Sequence, residues 1–141
     1  MTYLPTGFHV PPPLPHERAF WTFCEQRELR IQQCTDCGRF RHPPQPTCAR
    51  CRSSNATWTP VSGNGVVYTY TIVRQAVEPL LRESVPYNVA IVLLDGADDV
   101  RLTSNVIDTT PDEMRIGLRV ALVWEAAGTF TLPRFRKVVP A

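Results

Sequence analysis

The chain has 141 residues, a formal net charge of +2 and 43% hydrophobic residues. That length suits one compact domain with a small appendage, and the apolar fraction excludes a wholly disordered chain. The near-neutral charge excludes a global field aimed at nucleic acid or an acidic surface, and no run reaches the ~18 consecutive apolar residues that would span a bilayer.

Met1 to Pro5 shows neither a basic n-region nor an apolar h-region, so no secretory leader is expected. Five cysteines without a leader point to a reducing compartment, the cytoplasm, where thiols serve metal binding or chemistry. Residues 1–15 carry Pro5, Pro11, Pro12, Pro13 and Pro15, which favour extended backbone and forbid a helix. This stretch reads as a proline-rich arm, either a tail or a strap laid on a partner. From His16 to about Glu28, Phe20, Phe23 and Cys24 recur at i, i+3 and i+4 among polar residues, the pattern of a short amphipathic helix. Leu29 to Gln32 then alternates as a strand would.

Four cysteines follow as Cys34-x2-Cys37-x10-Cys48-x2-Cys51. Two residues between cysteines let one tight turn aim both sulfurs at a point, and two such turns complete a tetrahedron. Gly38 permits the left-handed backbone such a knuckle needs. Pro43, Pro44 and Pro46 suit a short rigid connection. A thioredoxin-like redox pair would need a helix N-terminus in a βαβ setting, which is missing around Cys34. Disulfides are disfavoured by the compartment and the odd cysteine. Zinc is the expected metal; rubredoxin-type iron would use the same four thiolates. With all four positions supplied by protein, the metal is structural. Cys24 reads as a buried small hydrophobe.

Beyond Cys51 the period is two. Trp58 to Val61 leads through Ser62-Gly63-Asn64-Gly65 into Val66 to Val73, read as one long strand bent at its glycines. Tyr87 to Leu94 is a second strand, and Asp95 to Asp98 turns it into a third, Val100 to Ile107. Thr110-Pro111-Asp112-Glu113 has the N-cap, first-turn proline and acids of a helix start. Arg119 to Trp124 and Thr129 to Leu132 are the last strands, with Pro133 ending the ladder. Five strands with a short helix between the third and fourth make a mainly β chain ending in a five-stranded OB-type barrel. The boundaries expected are an arm at 1–15, a helix plus zinc ribbon at 16–57 and an OB-fold domain at 58–141.

No phosphate-binding glycine loop, nucleophile elbow or His-Glu metalloprotease motif is present, and His42, beside prolines, reads as structural or solvated, so no catalytic residue is assigned. Arg39, Arg41, Arg50 and Arg52 flank the knuckles, and Arg134, Arg136 and Lys137 lie near the C-terminus. With Phe40, Trp58, Tyr68 and Tyr70 they form a kit for phosphates and a stacked base. Single-stranded nucleic acid and the adenosine 3'-phosphate end of coenzyme A both meet that description, as does a solvated arginine rim. The charge of +2 argues against nucleic acid.

Several runs in order carry a resemblance. They are Phe20-Trp21; Cys34-Thr35-Asp36-Cys37-Gly38-Arg39; Pro43-Pro44 before Cys48-Ala49-Arg50-Cys51; Ser62 to Thr71; Val85-Pro86-Tyr87; Ser104-Asn105-Val106; Ile116-Gly117; and Leu132-Pro133-Arg134-Phe135. From about residue 16 to 137 the chain resembles the acyl-CoA-associated OB-fold family with an N-terminal rubredoxin-like zinc ribbon. The resemblance implies a non-catalytic accessory subunit in a hetero-oligomer with a thiolase-fold enzyme (a thiolase or an aldolase) or a hydratase. The subunit would complete the channel for a coenzyme A thioester shared with that partner. Two features depart from the family pattern: His42 stands where an aromatic is common, and the turn from Gly96 to Asp99 is acidic.

Overall fold

A computed structural model describes residues 4–140. Residues 1–3 of the expected arm, and residue 141 at the end of the expected barrel domain, lie outside the described residues. A 3-10 turn at Pro15–Glu17 runs into α1, Arg18–Glu25, the one α-helix among the described residues. The helix stops short of Glu28 because Arg27 turns left-handed at φ 59°. The Arg27 and Glu28 amides bond back to the Cys24 and Phe23 carbonyls at 2.8 and 2.9 Å, the closure usually made with glycine. The helix buries Phe20 and Cys24, and burial pushes the Cys24 thiol up to about 12.

The first sheet holds three antiparallel strands in the order β2-β1-β3: β1 Arg30–Cys34, β2 Phe40–Arg41 and β3 Ala56–Pro60. Trp58 therefore belongs to a strand of its own, paired with Gln32 in the ribbon sheet, and does not open a long barrel strand. Alternation signals a strand and cannot say which sheet it joins. The glycines mark the crossing between the sheets. Gly63 has φ +81°, and a Cβ there would come within 2.5 Å of the Leu122 Cβ, so the chain can turn here only with glycine.

The second sheet runs β6-β5-β4-β8-β9-β7, built from β4 Gly65–Val73, β5 Tyr87–Leu94, β6 Arg101–Ser104, β7 Val106–Ile107, β8 Arg119–Ala127 and β9 Phe130–Lys137. Strands β6 and β7 are two halves of the expected third strand, divided at Asn105. The β6 half pairs antiparallel with β5, and the β7 half pairs parallel with β9, Val106 opposite Phe135, which closes the barrel. Asn88 holds the division in place: its side chain donates to the Val106 carbonyl and accepts the Val106 amide, both at 2.8 Å. The bulge in β4 falls between Val67 and Thr69. The expected helix after Thr110 is a single 3-10 turn, Pro111–Glu113, in which the Thr110 amide donates to the Glu113 carboxylate at 2.8 Å and the Glu113 amide to the Thr110 carbonyl at 3.0 Å.

Pro133 does not end the last strand, which continues to Lys137. It stands opposite Trp124, while the Val138 amide bonds to the Arg119 carbonyl at 2.9 Å. That bond fixes the alternation, so Trp124 and Pro133 form a pair that exchanges no hydrogen bonds. Proline's missing donor therefore costs no ladder bond. The core runs from Phe20, Leu29 and Ile31 through Val67, Val92, Leu102, Val106 and Val120 to Phe135. Trp21 meets Phe130 edge-on at 5.8 Å, so α1 is the wedge between ribbon and barrel. No helix among the described residues is long and apolar enough to cross a membrane.

Candidate metal centre

Strand β1 ends on Cys34, and β2, which pairs with it, begins three residues after Cys37, so the hairpin itself forms the first knuckle. The Gly38 amide donates to the Cys34 carbonyl at 2.9 Å, and the Arg52 amide donates to the Cys48 carbonyl at 2.8 Å. Both residues after the second cysteine of a pair are left-handed, Gly38 at φ 77° and Arg52 at φ 65°. The two knuckles are copies of one turn.

All four sulfurs lie within 4.8 Å of one another, with Cys34 Sγ 3.5 Å from Cys51 Sγ and Cys37 Sγ 3.6 Å from Cys48 Sγ. A tetrahedron of zinc–sulfur bonds has edges of about 3.8 Å, so four thiolates so placed fit that ion. The backbone prepares two of the thiolates, whereas Cys51, although the Ser53 amide bonds to it, is pushed up to about 12 by the Cys34 thiol and burial. Amides of Cys37 and then Asp36 hold the Cys34 thiol below its ordinary range, and amides of Cys51 and Arg50 bring the Cys48 thiol down to about 6. A hydrogen-bond network that sequence reading missed locks the knuckles together. Asp36 accepts from the Ser53 hydroxyl and, at 3.1 Å, from the Asn55 side chain. The Thr35 amide reaches the Asn55 carbonyl at 3.2 Å. The signal was the polar run after Cys51; what hid it was a partner 17 residues away.

The candidate phosphate ligands do not converge. Arg39 lies 3.5 Å from Asp99, and the neighbouring Phe40 amide donates to Asp98 at 3.0 Å. These contacts clasp the ribbon to the acidic turn after β5. Arg41 braces the proline loop, its Nε donating to Gln32 at 3.0 Å and its Nη2 to the Gln45 carbonyl at 3.1 Å. Arg134 is buried against Glu125 at 3.0 Å and also donates to Asn105. Arg136 pairs with Asp108 at 3.0 Å, and Lys137 pairs with Glu113. That lysine, followed by the Thr110 amide, draws the Glu113 carboxyl down to about 2. Arg50 and Arg52 are exposed on the second knuckle and carry no carboxylate partner among the described residues. Arg134 is the one member of the set that lines a large cavity. It shares about 350 Å³ with Trp21, His42, Pro43, Arg101 and Leu132 at the junction of helix, ribbon and barrel. His42 packs on Phe20 with the rings tilted and their centroids 4.9 Å apart, taking the aromatic's place. Burial, opposed by Glu17, lowers its imidazole to about 4.

A hairpin-built knuckle, its copy 14 residues on and a closed five-strand barrel define a zinc ribbon joined to an OB fold. The description "ChsH2, rubredoxin-like zinc ribbon domain" matches residues 21–56, and "ChsH2, C-terminal OB-fold domain" matches residues 58–125. The chain belongs to this ChsH2/DUF35 family. It is 30% identical over 106 residues to a DUF35 domain-containing scaffold protein of Methanocaldococcus jannaschii, covering 74% of this chain and 73% of that one. It is 37% identical over 138 residues to a probable enoyl-CoA hydratase alpha subunit of Thermomonospora curvata, covering 96% of this chain but only 42% of that longer protein. Among solved structures, a chain of "Ltp2-ChsH2(DUF35) aldolase" superposes with a TM-score of 0.82 at 35% identity, over 92% of this chain and 100% of that one.

Proposed function

We propose that the chain is the non-catalytic, zinc-carrying subunit of an acyl-CoA-processing complex, paired with a thiolase-fold enzyme such as an aldolase. The observation that carries this reading is the end-to-end likeness to the chain of the Ltp2-ChsH2(DUF35) aldolase, all of which is matched. The hydratase subunit of Thermomonospora curvata, matched over 42% of its length, supports the acyl-CoA setting. Cys34, Cys37, Cys48 and Cys51 would hold Zn²⁺, which supplies folding energy on the order of 10 kcal/mol and leaves no open position for catalysis.

The partner would provide the reacting groups. This subunit would stabilise the assembly and complete the coenzyme A channel, so that binding energy from the remote nucleotide end helps position the thioester. Arg50 and Arg52 are the cations best placed to meet a phosphate, because no carboxylate neutralises them. The junction cavity beside Arg134 suits a less charged part of the same ligand.

Co-expression with a thiolase-fold acyl-CoA enzyme, followed by native mass spectrometry with metal analysis, tests the reading. The expected result is a hetero-oligomer carrying one zinc per copy of this chain. The result that overturns it is a chain with no affinity for the enzyme that binds single-stranded oligonucleotide with steep salt dependence.

A further inference from the structure

Residues 4–14 lie on the chain's own barrel, turning between Pro5 and Phe8, where Gly7 has φ 85°, and carrying no helix or strand from Phe8 to Leu14. The Leu4 amide donates to Glu125 at 3.2 Å, and the Phe8 amide closes a turn onto the Pro5 carbonyl at 3.2 Å. Phe8 and Val10 share a cavity of about 360 Å³ with Leu81, Tyr87, Val89 and Leu132. Leu4 and Pro5 share another of about 270 Å³ with Ala127 and Gly128. The arm thus lies over β5, β6 and β9, the barrel's second, third and fifth strands. It is flanked by the loop between the first and second strands and the turn between the fourth and fifth. That is the face through which OB barrels take extended ligands.

Two features separate this arrangement from a packed strand. None of the arm residues 4–14 is buried, and cavities remain beneath it on both sides of Phe8. The arm is held by half-buried apolar side chains and one amide on a carboxylate. The groove's chemistry also selects its occupant. Arg134 is the one charged side chain lining either cavity, and Glu125 neutralises it at 3.0 Å. Such a groove offers nothing to a phosphate backbone. It suits an extended, uncharged segment stiffened by proline, which loses little entropy on docking. The arm has that composition, with no Asp, Glu, Lys or Arg from Leu4 to Leu14.

We propose that this face is a peptide-binding groove for an extended, uncharged, proline-bearing segment of a partner chain, held closed by the chain's own arm. A tether this short gives the arm an effective concentration in the millimolar range, so an incoming segment must displace a resident competitor.

The test uses full-length protein and a fluorescent peptide of residues 4–14. In a Phe8→Asp/Val10→Asp variant the arm leaves the groove. Fluorescence anisotropy should then show at least tenfold tighter peptide binding than to the wild type, with circular dichroism and zinc content unchanged. Adding Val89→Asp to that variant should abolish the binding. Equal binding to wild type and variant, or binding to neither, overturns the proposal. A measurement on the wild type alone guards against a misfolded variant. Excess unlabelled peptide should shift the Val10 methyl resonances to the positions they take in the isolated peptide. Unmoved resonances overturn the proposal as well.

Discussion

Ribbon and barrel are both small antiparallel β structures, yet they are held by different forces. The barrel buries Val67, Val92, Val106, Val120 and Phe135 to 1% exposure or less, and each such side chain contributes about 1.5–3 kcal/mol. Its sheet closes on itself through β7 and β9, so its strands do not depend on another lobe to cover an edge. The ribbon sheet has β3 as an open edge, with none of its five residues buried. The ribbon's buried set is Leu29, Ile31, Gln32, Cys34, Pro44 and Cys48, too little apolar surface to offset the entropy of ordering some 30 residues. A barrel of this kind stands on burial; a ribbon of this kind stands on its metal.

The sharpest break between the two comes from removing that metal. Chelation, or Cys48→Ser, should abolish the ribbon, a loss on the order of 10 kcal/mol of apparent folding energy. The barrel should remain. Hydrogen exchange resolves the difference: amides of β1 and β3 should lose protection, while those of β5 and β8 keep theirs. Simultaneous loss in both regions would show that α1, which carries Phe20 into the shared core, makes the lobes one cooperative unit.

The same division explains what the sequence disclosed. Knuckle spacing and strand alternation are local properties, so the four cysteines, Gly38, the run Tyr87 to Leu94 and the Thr110 cap could be read directly. Partnership across the chain is not local. Arg39 and Asp99 are 60 residues apart, and Trp58 joins the ribbon because its opposite number is Gln32. Of the seven cations expected to meet phosphates, Arg39, Arg134, Arg136 and Lys137 spend their charge on carboxylates. A residue's type announces what it can bind; only the fold says what it already binds. The proline arm shows the same limit, since its prolines speak against a helix but say nothing of the turn at Gly7 or of its bed on the barrel.

The junction between the lobes should respond to pH through His42. Burial keeps the folded imidazole neutral down to about pH 4, whereas the unfolded chain takes up the proton near 6.5. Between those values the unfolded state binds more protons, so stability falls as pH falls. Allowing for partial exposure, the loss should be about 2 kcal/mol between pH 6.5 and 4. His42→Phe should remove this component while preserving the contact with Phe20. Thiolate protonation also weakens the ribbon in acid, but equally in both proteins. The difference between their denaturation midpoints across the pH series therefore isolates the histidine. A constant difference would mean that His42 is solvated in the folded chain.

The finest comparison lies within the ribbon, between its two knuckles. Both need a left-handed residue after the second cysteine, and the chain places glycine at one and arginine at the other. A Cβ at position 38 would meet nothing within 4 Å, so Gly38→Ala carries only the backbone term, about 1 kcal/mol of destabilisation. Arg52→Gly relieves that same strain and should stabilise the zinc-loaded chain by about 0.5 kcal/mol, since glycine's extra freedom when unfolded takes back part of the gain. Thermal unfolding under saturating zinc measures both. The opposite signs follow from one turn built twice with different residues. If Arg52→Gly instead destabilises the isolated subunit, the guanidinium supports the knuckle itself. If it stabilises the subunit and weakens coenzyme A binding by the complex, the strain at Arg52 belongs to the ligand.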